Sequence, residues 1–152
     1  MKPSKNFYDM AKGFEGLKLS AYYDPATGGL PITIGYGSTF KKDGTRFKIT
    51  DKITLQEAED LFEWDGQTKA IVVTGLFPKT ILTQNQFDAV LDFAYNTGCG
   101  KFAGSTLYKL IKVIPNDPAI PAEFGKWVHA GGKVLTGLIH RRAEEVKLYL
   151  TK

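Results

Sequence analysis

The chain has 152 residues, 43% of them hydrophobic and 24% charged, which is enough apolar material for a buried core and excludes a disordered chain. Its single cysteine, Cys99, excludes an intramolecular disulfide framework, and with only His129 and His140 to join it the soft ligands for a zinc site are lacking. The net charge of +4 is uneven, with +4 over residues 1–50, −5 over 51–100 and +5 over 101–152, and basic ends of this kind suit attraction to an anionic polymer or simple solubility.

The N-terminal segment has no apolar run long enough for a signal-peptide core or signal anchor, so synthesis and folding in the cytoplasm are expected. Phe7, Met10, Ala11 and Phe14 recur at helical spacing and predict a helix from about Ser4 to Phe14, which delivers Glu15 to its end. Apolar Phe14 and Leu17 beside it are expected to cover the carboxyl and favour the protonated acid. From Leu17 to Phe47 short β-rich pieces alternate with turn residues, among them Gly28-Gly29, Gly35, Gly37 and Asp43-Gly44, and predict a small antiparallel sheet whose turns carry Asp24 and Thr33.

Thr54 and Glu57 form a capping box that opens a helix to about Val73, with Leu55, Ala58, Leu61 and Phe62 facing inward. A second box, Thr83 with Gln86, opens a strongly amphipathic helix through Phe87, Val90, Leu91 and Ala94 that stops at Gly98. Ser105 is the expected N-cap of a helix carrying Leu107, Leu110, Ile111 and Ile114. The proline-rich piece from Ile114 to Pro121 is expected to be a connecting loop, followed by a short helix carrying Phe124 and Trp127 and a last helix from about Leu138 to Leu150. Arg141, Arg142 and Lys147 on that last helix are read as charges held in water, or alternatively as a basic face touching lipid. No repeat, low-complexity tract or transmembrane span is visible.

Glu15 at a helix end, Asp24 after eight intervening residues and Thr33 on a glycine-rich strand together form a set suited to cutting a glycosidic bond. One carboxyl protonates the leaving oxygen while the other, ionised, handles water. The same residues admit a structural reading: Glu15 as a solvated helix-end charge, Asp24 as a turn former before Pro25, and Thr33 as an ordinary strand residue.

The stretch FEGLKLSAYYD with TIGYGST resembles the active-site region of phage-type lysozymes, the endolysins of glycoside hydrolase family 24. The resemblance continues through FAYNTGCG with Ser105-Thr106-Leu107, and through WVHAGGKVL with GLIHRR, so it covers nearly the whole chain. It implies an α+β lysozyme-like fold in one domain, with a sheet lobe (15–53), a helical lobe (1–14 and 74–152), a linking helix (54–73) and a cleft between the lobes.

It further implies hydrolysis of the β-1,4 bond between N-acetylmuramic acid and N-acetylglucosamine in peptidoglycan, with inversion and without a cofactor. Glu15 would be the acid, Asp24 the base or electrostatic partner and Thr33 the residue that positions water, while Thr39, Tyr95, Asn96 and Thr106 would face the sugar. The protein would act as a monomer, reach the wall with the help of a holin, bind no nucleic acid and not insert stably in membrane. One departure is visible, since eight residues, Pro25 to Ile32, separate Asp24 from Thr33 where the family usually has five. Pro25, Gly28-Gly29 and Pro31 predict a turn whose surplus bulges outward. Rival readings are a lytic transglycosylase, which cuts the same bond without water, and a non-catalytic wall-binding protein.

Overall fold

The computed structural model describes residues 1–24 and 28–152. Among the described residues, seven helices accompany two small antiparallel two-stranded sheets, an α+β arrangement as expected. Ser4 caps α1, Lys5–Glu15, by accepting a hydrogen bond from the Asn6 N–H. The helix ends at Glu15 because Gly16 takes φ +70, a turn away from the helical path that residues with a Cβ rarely adopt.

Strands β1, Lys18–Asp24, and β2, Gly29–Gly35, pair Tyr22 with Thr33, Tyr23 with Ile32 and Asp24 with Gly29. Between the last two pairs the register shifts, with Leu30 and Pro31 lying in the irregular stretch of β2. The outward turn predicted between Asp24 and Thr33 does not extend over Gly29 to Ile32. Pro25 lies outside the described residues, Gly29 to Ile32 belong to a strand, and Thr33 sits inside β2 because it pairs with Tyr22. The Asp43-Gly44 turn is present with only an isolated bridge, Phe40 to Arg46, across it.

Both predicted capping boxes form, at Thr54 for α2, Leu55–Leu76, and at Thr83 for α3, Gln84–Thr97. Leu55 is an exception to the predicted inward face: it is exposed in the first turn, ahead of the point where α2 meets the core, while Ala58, Leu61 and Phe62 are buried. Gly98 ends α3 at φ +95 and starts α4, Cys99–Gly104, a helix that the sequence did not suggest. Helix α5, Thr106–Val113, is capped by Ser105, and α6, Ile120–Gly125, takes Pro121 into its first turn, where a missing N–H costs nothing. The predicted proline loop is thus shorter. Trp127 follows α6 rather than lying on it and leads into the hairpin of β3, His129–Ala130, and β4, Lys133–Val134, turned by Gly131 and Gly132 at positive φ. Helix α7, Thr136–Leu150, completes the chain. No helix among the described residues is long and apolar enough to cross a membrane.

The core gathers around α3, which is buried on nearly every side and carries Asp88 and Asp92 into the interior. Asp88 accepts hydrogen bonds from the backbone and hydroxyl of Ser4, which ties the start of α1 to α3. Phe7, Phe62 and Tyr95 meet edge-on or stacked with ring centroids 5.7 to 6.2 Å apart, joining α1, α2 and α3.

Gly66 makes this aromatic junction possible, because a Cβ there would stand 2.9 Å from Cε1 of Phe7 and 3.1 Å from Cε1 of Tyr8. Replacing a mid-helix glycine by alanine ordinarily gains up to about 1 kcal/mol. Overpacking a fully buried ring costs roughly 1–3 kcal/mol, which is the larger effect. Gly66→Ala is therefore expected to lower stability, whereas Gly75→Ala on the same helix, where a Cβ meets nothing within 4 Å, is expected to leave it unchanged or raise it. Urea unfolding of the two variants decides the matter, and equal stabilisation by both would contradict the packing described.

Candidate active site

Gly16 ends α1 so that Glu15 is its last residue, and the β1–β2 ladder places Tyr22 and Thr33 side by side with Asp24 two residues beyond Tyr22. Gly37, at φ +94, passes so close to the acid that a Cβ there would lie 3.1 Å from Glu15 Oε2. These residues, with Thr39, Tyr95 and Asn96, line one cleft of about 370 Å³. Of the residues singled out in the sequence, the cleft brings together Glu15, Asp24, Thr33, Thr39, Tyr95 and Asn96. Thr106 is exposed at the start of α5 and does not line it.

The surroundings of Glu15 differ from those expected. Leu17 is 39% exposed and gives little cover, and the nearest partner is a cation: Arg141 Nη1 donates to Glu15 Oε1 at 2.5 Å. Arg141 also donates through Nε and Nη2 to both oxygens of Asp92, at 2.8 and 2.9 Å, a two-point contact that fixes the guanidinium plane. Burial alone would pull the Arg141 guanidinium down, but the charges and hydrogen bonds of Asp92 and Glu15 outweigh it and hold Arg141 above its ordinary value.

Arg142, expected in water, is 2% exposed; it donates to Glu145 at 2.7 Å and to Asn96 Oδ1 at 2.9 Å, and its guanidinium lies 4.7 Å from the centre of the Phe93 ring. Only Lys147 of the three basic residues on α7 is exposed as expected. Lipid contact by this basic face is thereby overturned for both arginines. Arg142 and Glu145 fall three apart on α7, a spacing that suits an ion pair, but nothing local shows that this face is buried.

Tyr22 was not singled out in the sequence. It stands beside both carboxyls: burial, then the charges of Glu15 and Asp24, push its phenol up. Tyr95 contributes only an edge, since it is 9% exposed, its hydroxyl donates to the Tyr36 carbonyl at 3.0 Å, and the Lys69 ammonium lies 4.5 Å from its ring centre. The Thr33 hydroxyl donates to the Pro31 carbonyl at 3.3 Å. A second groove of about 520 Å³ shares Asp24 and Asn96 with the cleft and runs on past Lys101, Trp127 and His129, so the open surface is longer than the cleft alone.

A cleft between a small sheet and a helical body, holding two carboxyls at its mouth, defines a lysozyme-like protein of α+β class. The chain belongs to the phage lysozyme family, whose model matches residues 12–145. It is 38% identical over 149 residues to an endolysin of Bacillus phage PZA, covering 98% of this chain but 55% of that protein, so it spans about half the length of that relative. It is 34% identical over 151 residues to an endolysin of Salmonella phage P22, covering 99% of each. Among solved structures, an endolysin from Escherichia coli O157:H7 phage FAHEc1 superposes with a TM-score of 0.83 at 34% identity, over 99% of this chain and 94% of that one.

Behind the cleft, Asp65 of α2 is 8% exposed, accepts a hydrogen bond from Ser38, and lies 3.9 Å from the Lys69 ammonium. Burial raises its carboxyl above the usual range despite Lys69 and Ser38. An aspartate whose folded value is raised destabilises the fold once it ionises; the cost is absent below the unfolded value of about 3.9 and present in full above the folded one. Asp65→Asn, which keeps an acceptor for Ser38, is therefore expected to melt higher than the parent at about pH 7, with the gap closing as the pH falls toward about 4. A lower melting temperature at neutral pH would show that the charge of Asp65 is a net asset.

Proposed function

We propose that the chain is a peptidoglycan hydrolase which cuts the β-1,4 bond between N-acetylmuramic acid and N-acetylglucosamine by inversion. Glu15 acts as acid, Asp24 as base and Thr33 as the group that positions water. The observation that carries this reading is the meeting of Glu15, Asp24 and Thr33 in one cleft, with Glu15 fixed from behind by Arg141.

The geometry suggests a division of labour within the acid. Arginine has donors only, so Glu15 Oε1, which accepts from Arg141, keeps its lone pair engaged, and the transferable proton belongs on Oε2, beside Gly37. A protonated Glu15 gives that proton to the leaving glycosidic oxygen. Asp24, ionised, takes a proton from a water attacking the opposite face of the sugar. The Thr33 hydroxyl directs its own proton to Pro31, which leaves its oxygen as an acceptor for the second hydrogen of that water. Tyr22 closes the wall between the two carboxyls, and Thr39, Tyr95 and Asn96 offer a hydroxyl, an aromatic edge and an amide to the sugar. An ionisable partner at Asp24 favours hydrolysis over the water-free transglycosylase reaction, which has no use for a base acting on water.

On this reading the cleft lies between sheet and helical lobes of one domain, the protein works as a monomer, and it reaches the wall from the cytoplasm of the host after a holin opens the way, ending in lysis. The basic ends of the chain assist by attraction to the anionic wall.

Glu15→Gln matches the carboxyl in size and still accepts from Arg141 but cannot donate the required proton as an acid does, so the folded variant is expected to lose nearly all clearing of purified peptidoglycan. Thr33→Ala is expected to lower turnover by about a hundredfold, the order of loss seen when a reactant is misplaced by an ångström. A folded Glu15→Gln protein that clears peptidoglycan like the parent would overturn the assignment, and an unchanged Thr33→Ala would remove the threonine from it.

A further inference from the structure

Behind Glu15 and Asn96 lies a sealed polar cluster that the reaction as written does not use. Asp92 and Asn96 come from α3, and Arg141, Arg142 and Glu145 from α7; the side chains of Asp92 and Glu145 have no exposure at all, and those of the two arginines are 4% and 2% exposed. The cluster forks. Arg141 runs from Asp92 to Glu15, and Arg142 runs from Glu145 to Asn96. Glu145 sits where the branches meet, with Oε1 2.7 Å from Nη2 of Arg142 and 3.8 Å from Nε of Arg141. Both branches end on residues that line the cleft.

Once Glu15 has given up its proton, the cluster holds three carboxylates against two guanidiniums, one negative charge too many for a dry interior. Its hydrogen bonds show where a proton would remove the surplus. Both oxygens of Asp92 accept from Arg141, and Oε1 of Glu145 accepts from Arg142, whereas Oε2 of Glu145, like Nε and Nη1 of Arg142, is buried without a hydrogen-bond partner among the described residues, with Asp92 as a charged neighbour of the Glu145 carboxyl. We propose that Glu145 is a positioning residue of the cleft, held as the neutral acid with its Oε2–H directed at Asp92, so that Asp92 stays committed to Arg141 and Arg141 to Glu15. Burial first, and then the charge of Asp92, push the Glu145 carboxyl well above the carboxylate range, against the opposing pull of Arg142 and Arg141. A buried carboxylic acid kept neutral to serve as a donor is a known device in enzyme sites.

The role follows from the alternative. An ionised Glu145 would compete with Asp92 and Glu15 for the same guanidiniums, being already 3.8 Å from Nε of Arg141, and the plane of Arg141 that aims Nη1 at Glu15 would lose its fixed anchor. The neutral acid removes that competition while still accepting from Arg142, which in turn holds the Asn96 amide toward the sugar.

This proposal rests on Glu15 being the acid, yet its first test does not involve turnover. With the δ-carboxyl carbons of the glutamates labelled, the carbon spectrum is expected to contain a neutral-acid resonance that persists at pH values near neutrality and is missing in Glu145→Gln. If no neutral resonance disappears in that variant, the proposal fails, whatever Glu15 does. The second test uses activity: Glu145→Gln can both donate and accept as the neutral acid does and is expected to keep the turnover and pH profile of the parent. Glu145→Leu, folded by near-ultraviolet circular dichroism, is expected to lose about tenfold to a hundredfold in kcat with little change in KM. Impairment of Glu145→Gln, or parental turnover by a folded Glu145→Leu, would overturn the proposal; if Glu145→Leu does not fold, the spectrum and Glu145→Gln decide it.

Discussion

Arg141 is the constraint on which the site depends. Its two-point contact with Asp92 fixes the guanidinium against α3, and the one nitrogen left over is what reaches Glu15 at the end of α1. Three helices distant in sequence are thereby registered on a single side chain. A point charge such as lysine could not do the same, because the planar fork is what allows one cation to hold two carboxylates in a set relation. The arrangement has an energetic cost, since two guanidiniums and three carboxyls in or near the core gain less than apolar side chains of the same volume would. What the cluster supplies is geometry: an acid aimed from behind, with its second oxygen left toward the cleft and crowded only by the backbone of Gly37.

The sheet side is built more loosely. Asp24 and Thr33 come from two short strands whose register is broken by Leu30 and Pro31, while isolated bridges hold the rest of the segment up to Arg46. Leu30 and Pro31 take up part of the length between Asp24 and Thr33 within β2, and Thr33 stands opposite Tyr22. The residues proposed for the chemistry are thus divided between the helical frame, which holds Glu15, and a small sheet, which holds Asp24 and Thr33.

Much of this was legible in the sequence because local rules set it. Both capping boxes, the stop at Gly98 and the serine cap at Ser105 depend on neighbours a few residues away, and each stands where the sequence places it. Glu15, Asp24 and Thr33 stand out as candidates because they sit close together in the chain, and all three line one cleft. The rest depends on long-range packing. Arg141 touches Glu15 across 126 residues, and its side chain was read as solvated because nothing local reveals that α7 is buried on that face. Leu55 failed for the opposite reason: its spacing fits the apolar stripe, but the first turn of α2 projects beyond the core. Tyr22 was overlooked since strand alternation alone does not say which face of a two-stranded sheet meets a cleft.

The most direct measurement of the account is product analysis of peptidoglycan digested in water enriched in heavy oxygen. Hydrolysis directed by Asp24 and Thr33 with Glu15 as acid predicts fragments ending in reducing N-acetylmuramic acid, each new end carrying one oxygen from the solvent at the anomeric carbon. Fragments ending in 1,6-anhydro sugar without solvent oxygen, or polymer bound but uncut, would contradict it.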